Sequence, residues 1–145
     1  MLKLVGESPF WRLVGRVHTV LYRATRGRIG HSAGGFTTLL LTTTGRRTGQ
    51  PRTAPLAYME DDGRYVVVAS NGGSDRLPAW CGNLRHRPEA TVQVGARTLA
   101  VVGREATPEE RAVLWPRLKA WNPFYTHYER LTARTIPIVL LEPRR

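Results

Sequence analysis

The chain has a single cysteine in 145 residues, Cys81, so no disulfide can form within it. It also lacks the roughly 18 consecutive apolar residues that a membrane-spanning helix needs. Its first residues show neither the apolar core nor the small cleavage-site residues of a secretory signal. These absences predict a protein of the reducing cytoplasm. Catalytic groups are scarce too. His18, His31, His86 and His127 have no metal-ligand spacing, and Cys81 has no partner thiol. There is no Walker loop, dinucleotide fingerprint or serine nucleophile elbow, and outside the turn at Glu60–Asp62 no close carboxylate pair suggests acid/base hydrolysis. A chain so poor in reactive side chains is expected to hold something that carries the chemistry itself.

Lysine is the other shortage. Only Lys3 and Lys119 are lysines among 22 basic residues, set against 11 acidic ones for a net charge of +11. Arginine-rich codon usage explains part of this excess. An anionic partner (nucleic acid, an acidic lipid surface or a polyanionic cofactor) would explain it functionally. Total charge does not separate these, whereas its placement does.

Residues 9–26 predict an amphipathic helix. At about 100° per residue, Phe10, Leu13, Val14, Val17, Val20, Leu21 and Ala24 share one stripe. Arg12, Arg16, Arg23 and Arg26 fall opposite, with Trp11, His18 and Tyr22 along a flank. Glycines then make 27–35 a loop. Six β-rich runs follow: Phe36–Thr44, Thr53–Glu60, Arg64–Ser70, Ala90–Val94, Arg97–Arg104 and Thr135–Glu142. Asp61-Asp62-Gly63 and Gly95-Ala96 are hairpin turns. Hairpin-linked strands predict a mainly β, α+β fold, a six-stranded antiparallel barrel rather than a parallel sheet. Two helical insertions interrupt it, over Pro78–His86 and from Thr107 to about Trp121. The second has the Thr107, Pro108 and Glu110 of a capping box. Pro123 opens a shorter helix toward Ala133. We expect one domain over 1–145, with the helix in 1–27 and the barrel in 36–143.

Four segments have the composition of a site. The turn Thr44–Arg52 holds Arg46, Arg47 and Arg52 with two threonines and two glycines, and no acid lies between Phe36 and Ala57 to neutralise them. Such a loop suits phosphate or carboxylate oxygens, which guanidinium groups grip in pairs. Val66–Gly73 runs a buried strand into a glycine pair, where backbone N–H groups can face a ring or phosphate. Pro78–Arg85 combines Trp80, Cys81 and Asn83 in a way that packing alone does not explain. Finally, Trp115, Trp121, Phe124, Tyr125 and Tyr128 cluster late in the chain. Tyr125 and Tyr128 are candidates to wall a pocket and to bond or protonate a substrate.

In order and spacing, Leu39–Arg52 (LLLTTTGRRTGQPR), Tyr65–Gly73 (YVVVASNGG), Pro78–Leu84 (PAWCGNL), Glu109–Pro116 (EERAVLWP) and Thr135–Pro143 (TIPIVLLEP) resemble the deazaflavin-dependent nitroreductase family of actinobacterial enzymes. The resemblance implies a split β-barrel and reduced coenzyme F420, an 8-hydroxy-5-deazaflavin, as hydride donor. It also implies quinone, enone or nitroaromatic acceptors. By carry-over, Arg46, Arg47, Thr48, Arg52, Thr53, Ala54 and Pro55 line the phosphate and glutamate tail. Val68, Ala69, Ser70 and Asn71 edge the ring, beside Ala79, Trp80, Cys81, Gly82 and Asn83, and Tyr125 closes the pocket. Three departures stand out. Arg47 and Asn71 occupy positions where lysine is common. Ala57 and Asn122 replace aromatics of nitroimidazole-reducing members, which argues against that activity.

Two rival readings differ in ligand. An FMN-binding barrel needs to hold one phosphate, for which three loop arginines are excessive. A nucleic-acid-binding barrel, suggested by a pI near 11.1, lacks an aromatic-basic stacking strand, so no nucleic-acid partner is expected. The helix at 9–26 fits either packing on the barrel or lying in an anionic membrane surface. We expect weak peripheral attachment of a cytoplasmic enzyme.

Overall fold

The computed structural model describes residues 9–28, 30, 32–33 and 36–144; the side chains of residues 9–11, Phe10 and Trp11 among them, fall outside the described set. Helix α1 spans Pro9–Ala24. Strands β1 (Ser32–Ala33), β2 (Phe36–Thr44), β3 (Pro51–Ala57), β4 (Met59–Asp61) and β5 (Arg64–Val68) follow. After a 3-10 turn at Asn71–Gly73 come α2 (Ala79–His86), β6 (Glu89–Val94), β7 (Arg97–Glu105), α3 (Pro108–Trp121), α4 (Phe124–Leu131) and β8 (Ile138–Pro143).

The sheet is antiparallel throughout, in the order β1-β2-β6-β7-β8-β5-β4, with β3 also paired to β2. Its closure follows from connectivity. β3 lies at one end of the sheet and β4 at the other, yet only Tyr58 separates them in the chain. The sheet must therefore curl until its ends meet, giving the expected α+β split barrel. Eight strands are described where six were expected. Tyr58 interrupts the Thr53–Glu60 run, bonding through its N–H to Thr37 O at 3.1 Å, and the short β1 adds the other.

Period-2 alternation sorts the core into two layers. Leu39, Leu41, Val67, Val92, Val101, Val139 and Leu141 point inside the barrel with Tyr58, Tyr65 and Trp80. Val66, Val68, Ile138 and Leu140 point outward and are covered by Leu114, Trp115, Leu118 and Tyr125 of α3 and α4. The unbroken Val66-Val67-Val68 run is thus buried on both faces, as a continuous apolar strand predicts. The turns behave as their residues require. Asp62 and Gly63 have φ of 52° and 77° in the two-residue β4–β5 hairpin. Thr107 Oγ1 accepts from Glu110 N at 3.2 Å while Glu110 Oε1 accepts from Thr107 N at 2.9 Å, completing the capping box of α3. β8 begins three residues later than expected because Thr135–Pro137 is not paired into the sheet.

Candidate active site

The loop between β2 and β3 turns tightly about Gly45. Gly45 N donates to Gln50 O and Gly49 N to Gly45 O, both at 2.8 Å, and Gly49 has φ of 72°. A Cβ on Gly45 would sit 2.9 Å from Thr48 Oγ1, so the turn requires glycine there. Asn83 fastens this loop to the barrel. Buried in α2, it accepts from Arg46 N through Oδ1 at 3.1 Å and donates from Nδ2 to Thr43 Oγ1 at 3.0 Å. The Arg46 guanidinium lies against Gly82, where any Cβ would collide with it. Among the described residues, Arg46, Arg47 and Arg52 form no ion pair, whereas Arg64, Arg85, Arg104 and Arg117 each have a carboxylate partner.

The end of β5 supplies the facing wall. Asn71, Gly72 and Gly73 have φ of 46°, 62° and 82°, so the chain doubles back after Ser70. Arg134 holds this turn from behind: Nε donates to Ser74 O at 3.0 Å, and Nη2 to Ala69 O at 3.1 Å and Ser70 O at 3.0 Å. Its Nη1 is buried without a partner among the described residues.

Between these walls lies a cavity of about 810 Å³, within the range of small-molecule and cofactor sites. Arg46, Arg47, Thr48, Arg52 and Thr53 make its polar end. Ala54, Pro55, Leu56, Val68, Leu77, Ala79 and Trp80 make an apolar floor, with Ser70, Asn71 and Asn83 at the edge. Thirteen of the residues singled out in the sequence thus share one cavity. Ala69, Cys81 and Gly82 do not line it. Ala69 and Cys81 point into the barrel, and burial pushes the Cys81 thiol up to about 11. Tyr125 and Tyr128 are also off the wall. Tyr125 stacks on Trp115 at 6.1 Å in the outer core, and its phenol is pushed up to about 12 by burial, against a lowering hydrogen bond with Asn122. Tyr128 packs behind the turn, its Cα 3.2 Å from a Cβ built on Gly73.

Residues 13–143 match the model of the F420H(2)-dependent quinone reductase family. The chain belongs to that family. It is 41% identical over 133 residues to the F420H(2)-dependent quinone reductase Rv1261c of Mycobacterium tuberculosis, covering 89% of each chain. The structure of an F420-H2 dependent reductase, FDR-A, superposes with a TM-score of 0.66 at 37% identity, over 72% of this chain and 93% of that one. A structure described as a domain-swapped dimer superposes with a TM-score of 0.70 at 32% identity, over 93% of this chain and all of that one. The family makes the protein an oxidoreductase with F420 as cofactor. The cavity fits that group: Arg46, Arg47 and Arg52, which form no ion pair among the described residues, suit an anionic tail, and the apolar floor suits a planar ring.

Sequence reasoning missed several wall residues. Arg76 and Leu77 follow the glycine pair, and Arg12 and Gly15 come from α1. The last two carried a signal, a glycine in mid-helix beside an unneutralised arginine, but nothing in the sequence says which face of α1 meets the barrel. Arg134 carried none, since its role depends on contacts with residues 60 or more positions away.

Proposed function

We propose that the protein reduces an electron-poor organic acceptor, a quinone foremost, with enones and nitroaromatics as chemical relatives. The observation that carries this reading is the carboxylate-free arginine loop opening onto an apolar cavity. In it, Arg46, Arg47 and Arg52, with Thr48 and Thr53, hold the phosphate and carboxylates of the tail. Val68, Ser70, Asn71, Ala79 and Trp80 bracket the ring, while Ala69, Cys81 and Gly82 support them from the barrel side. When bound, the reduced deazaflavin supplies the hydride. The residues of the wall bind, orient and exclude water, and Asn83 and Arg134 keep the two polar edges in register. Tyr128 acts from behind the wall, packed on the turn at Asn71–Gly73, while Tyr125 packs beside it in the outer core, and solvent provides the proton.

The test is a fluorescence and absorbance titration with F420, FMN and an oligonucleotide. F420 should bind far more tightly than the other two. Arg46→Ala and Arg52→Ala should each lose charge-assisted bonds of about 1.5–3 kcal/mol, roughly tenfold or more in Kd, and binding should weaken with salt. Equal affinity for FMN, or no effect of either substitution, would overturn the assignment.

The same reading takes residues 1–145 as one domain, supported by the docking of α1 through Tyr22, whose hydroxyl accepts from Gly95 N at 2.7 Å and donates to Gln93 O at 3.1 Å. Among the described residues no helix is long and apolar enough to cross a membrane. We place the enzyme in the cytoplasm, attached peripherally to anionic lipid through α1, because the apolar stripe of that helix faces outward: Leu13, Val14, Val17, Val20 and Leu21 are 40–64% exposed.

A further inference from the structure

Helix α1 brings to the cavity two residues for which the arginine loop alone provides no role. Arg12 and Gly15 line the same space as Arg46, Arg47 and Arg52. The helix is fastened at its far end. Tyr22 is fully buried and bonded to the β6–β7 turn. Gly27 approaches that turn so closely that a Cβ on it would lie 2.5 Å from Gly95 Cα. Arg23 Nη2 donates to Thr53 Oγ1 at 3.0 Å, and His18 Nε2 lies 2.7 Å from Gly30 O. From this anchor the earlier turns of α1 extend to the cavity. Glycine is a poor helix former, yet packing does not demand one at position 15: a Cβ there would meet nothing within 4 Å. The missing side chain leaves open volume on the cavity side. Arg12, like the three loop arginines, forms no ion pair among the described residues.

We propose that α1 is a wall of the cofactor site, with Arg12 as a fourth cation for the anionic tail and Gly15 as the gap the tail occupies. The inference rests on the assignment of the arginine loop to that tail. A ligand that touches both the loop and α1 stabilises the docked helix by its affinity for that arrangement, so cofactor binding clamps the helix to the barrel.

The test uses the full chain, with parental melting temperature as the folding control. F420 and a tail-less deazaflavin, the ring on its ribityl chain alone, are titrated into the parent, Arg12→Gln, Gly15→Leu and the reference Arg46→Ala. Arg12→Gln should weaken F420 about fivefold or more and flatten the salt dependence, with unchanged affinity for the tail-less compound. Leucine is a better helix former than glycine, so weaker F420 binding by Gly15→Leu reports the filled gap and not a weakened helix. Hydrogen exchange gives an independent readout: F420 should slow exchange of the α1 amides in the parent, and less so in Gly15→Leu. If Arg46→Ala loses F420 while both α1 variants bind as the parent does, and α1 exchange is unchanged, the helix is no wall although the loop assignment stands. If Arg46→Ala also binds as the parent does, the loop assignment fails and this inference with it.

Discussion

Asn83 explains at the residue scale how an exposed, strongly basic loop is kept in place. Its amide is 3% exposed and satisfied on both sides, by Arg46 N–H and by the Thr43 hydroxyl. A buried amide left half-bonded costs about 1–3 kcal/mol, so both partners are required. Arg134 does the same for the opposite edge with three carbonyls, a task that suits the planar fork of arginine and not the point charge of lysine. Tyr125, a candidate for catalysis by its chemistry, packs on Trp115 in the outer core. It is 5% exposed, and burial pushes its phenol up to about 12, so at neutral pH it stays protonated within the outer core. Tyr125→Phe should leave turnover of a quinone and an enone within about twofold while lowering stability by about 1 kcal/mol, one lost hydrogen bond. Steady-state kinetics with a thermal melt checks this. A tenfold or greater loss of turnover with unchanged stability would put the hydroxyl at the acceptor.

At the scale of the element, α1 reverses the usual rule for a surface helix. An amphipathic helix normally buries its apolar stripe, but here the stripe faces out. The barrel instead meets Tyr22 and Arg23, His18 reaches the loop at Gly30 O, and Gly15 borders the cavity. Tyr22 provides the anchor by satisfying the N–H of Gly95 and the carbonyl of Gln93 at once. The exposed ridge is the basis of the membrane proposal, since an apolar face flanked by arginines binds anionic interfaces by burial and by charge. Full-length protein should co-sediment with anionic vesicles at low salt, release at high salt, and ignore neutral vesicles. Val17→Glu with Val20→Glu, on the outward ridge and away from the cavity wall, should abolish sedimentation and leave F420 affinity intact. Failure of the parent to sediment on anionic vesicles would end the membrane proposal.

For the molecule as a whole, the curled sheet is fastened to α3 by an ion network. Glu110 takes Arg104 at 2.7 Å and Arg64 at 3.1 Å, Asp61 takes Arg64 at 2.7 Å and Arg117 at 2.9 Å, and Arg104 also reaches Glu142 at 2.8 Å. The hydrogen bonds from Arg104, then the Thr107 N–H and Arg64, hold the Glu110 carboxyl well below its ordinary 4.5. Arg117 and Arg64 likewise hold Asp61 below 3.8. A carboxyl whose folded pKa is depressed stabilises the fold above its unfolded pKa and loses that contribution as pH falls toward the folded value. Thermal melts should therefore decline as pH drops below about 4.5. Glu110→Gln should melt lower than the parent at pH near 7 and converge on it in acid. A constant gap between the two across this range would show that the charge of Glu110 contributes nothing.

What the sequence determined by itself was local. Alternating and continuous apolar runs identified the strands, the Asp62-Gly63 and Gly95-Ala96 turns set the hairpins, and the Thr107 box started α3. An arginine loop without acids marked the polar end of the site. These signals are carried by residues close in sequence, where periodicity, capping and turn geometry act. Tertiary structure decided whatever depends on distant chain meeting. The joining of β3 to β4 through Tyr58 closes the barrel. Arg134 reaches back to the turn after β5, Tyr125 packs into the outer core, and α1 turns Arg12 and Gly15 toward the cavity. The helical wheel gave two faces for α1 and ranked them by hydrophobicity. The orientation followed instead from buried hydrogen bonds between Tyr22 and backbone groups at Gln93 and Gly95, more than 70 residues away, which no periodicity within the helix can encode.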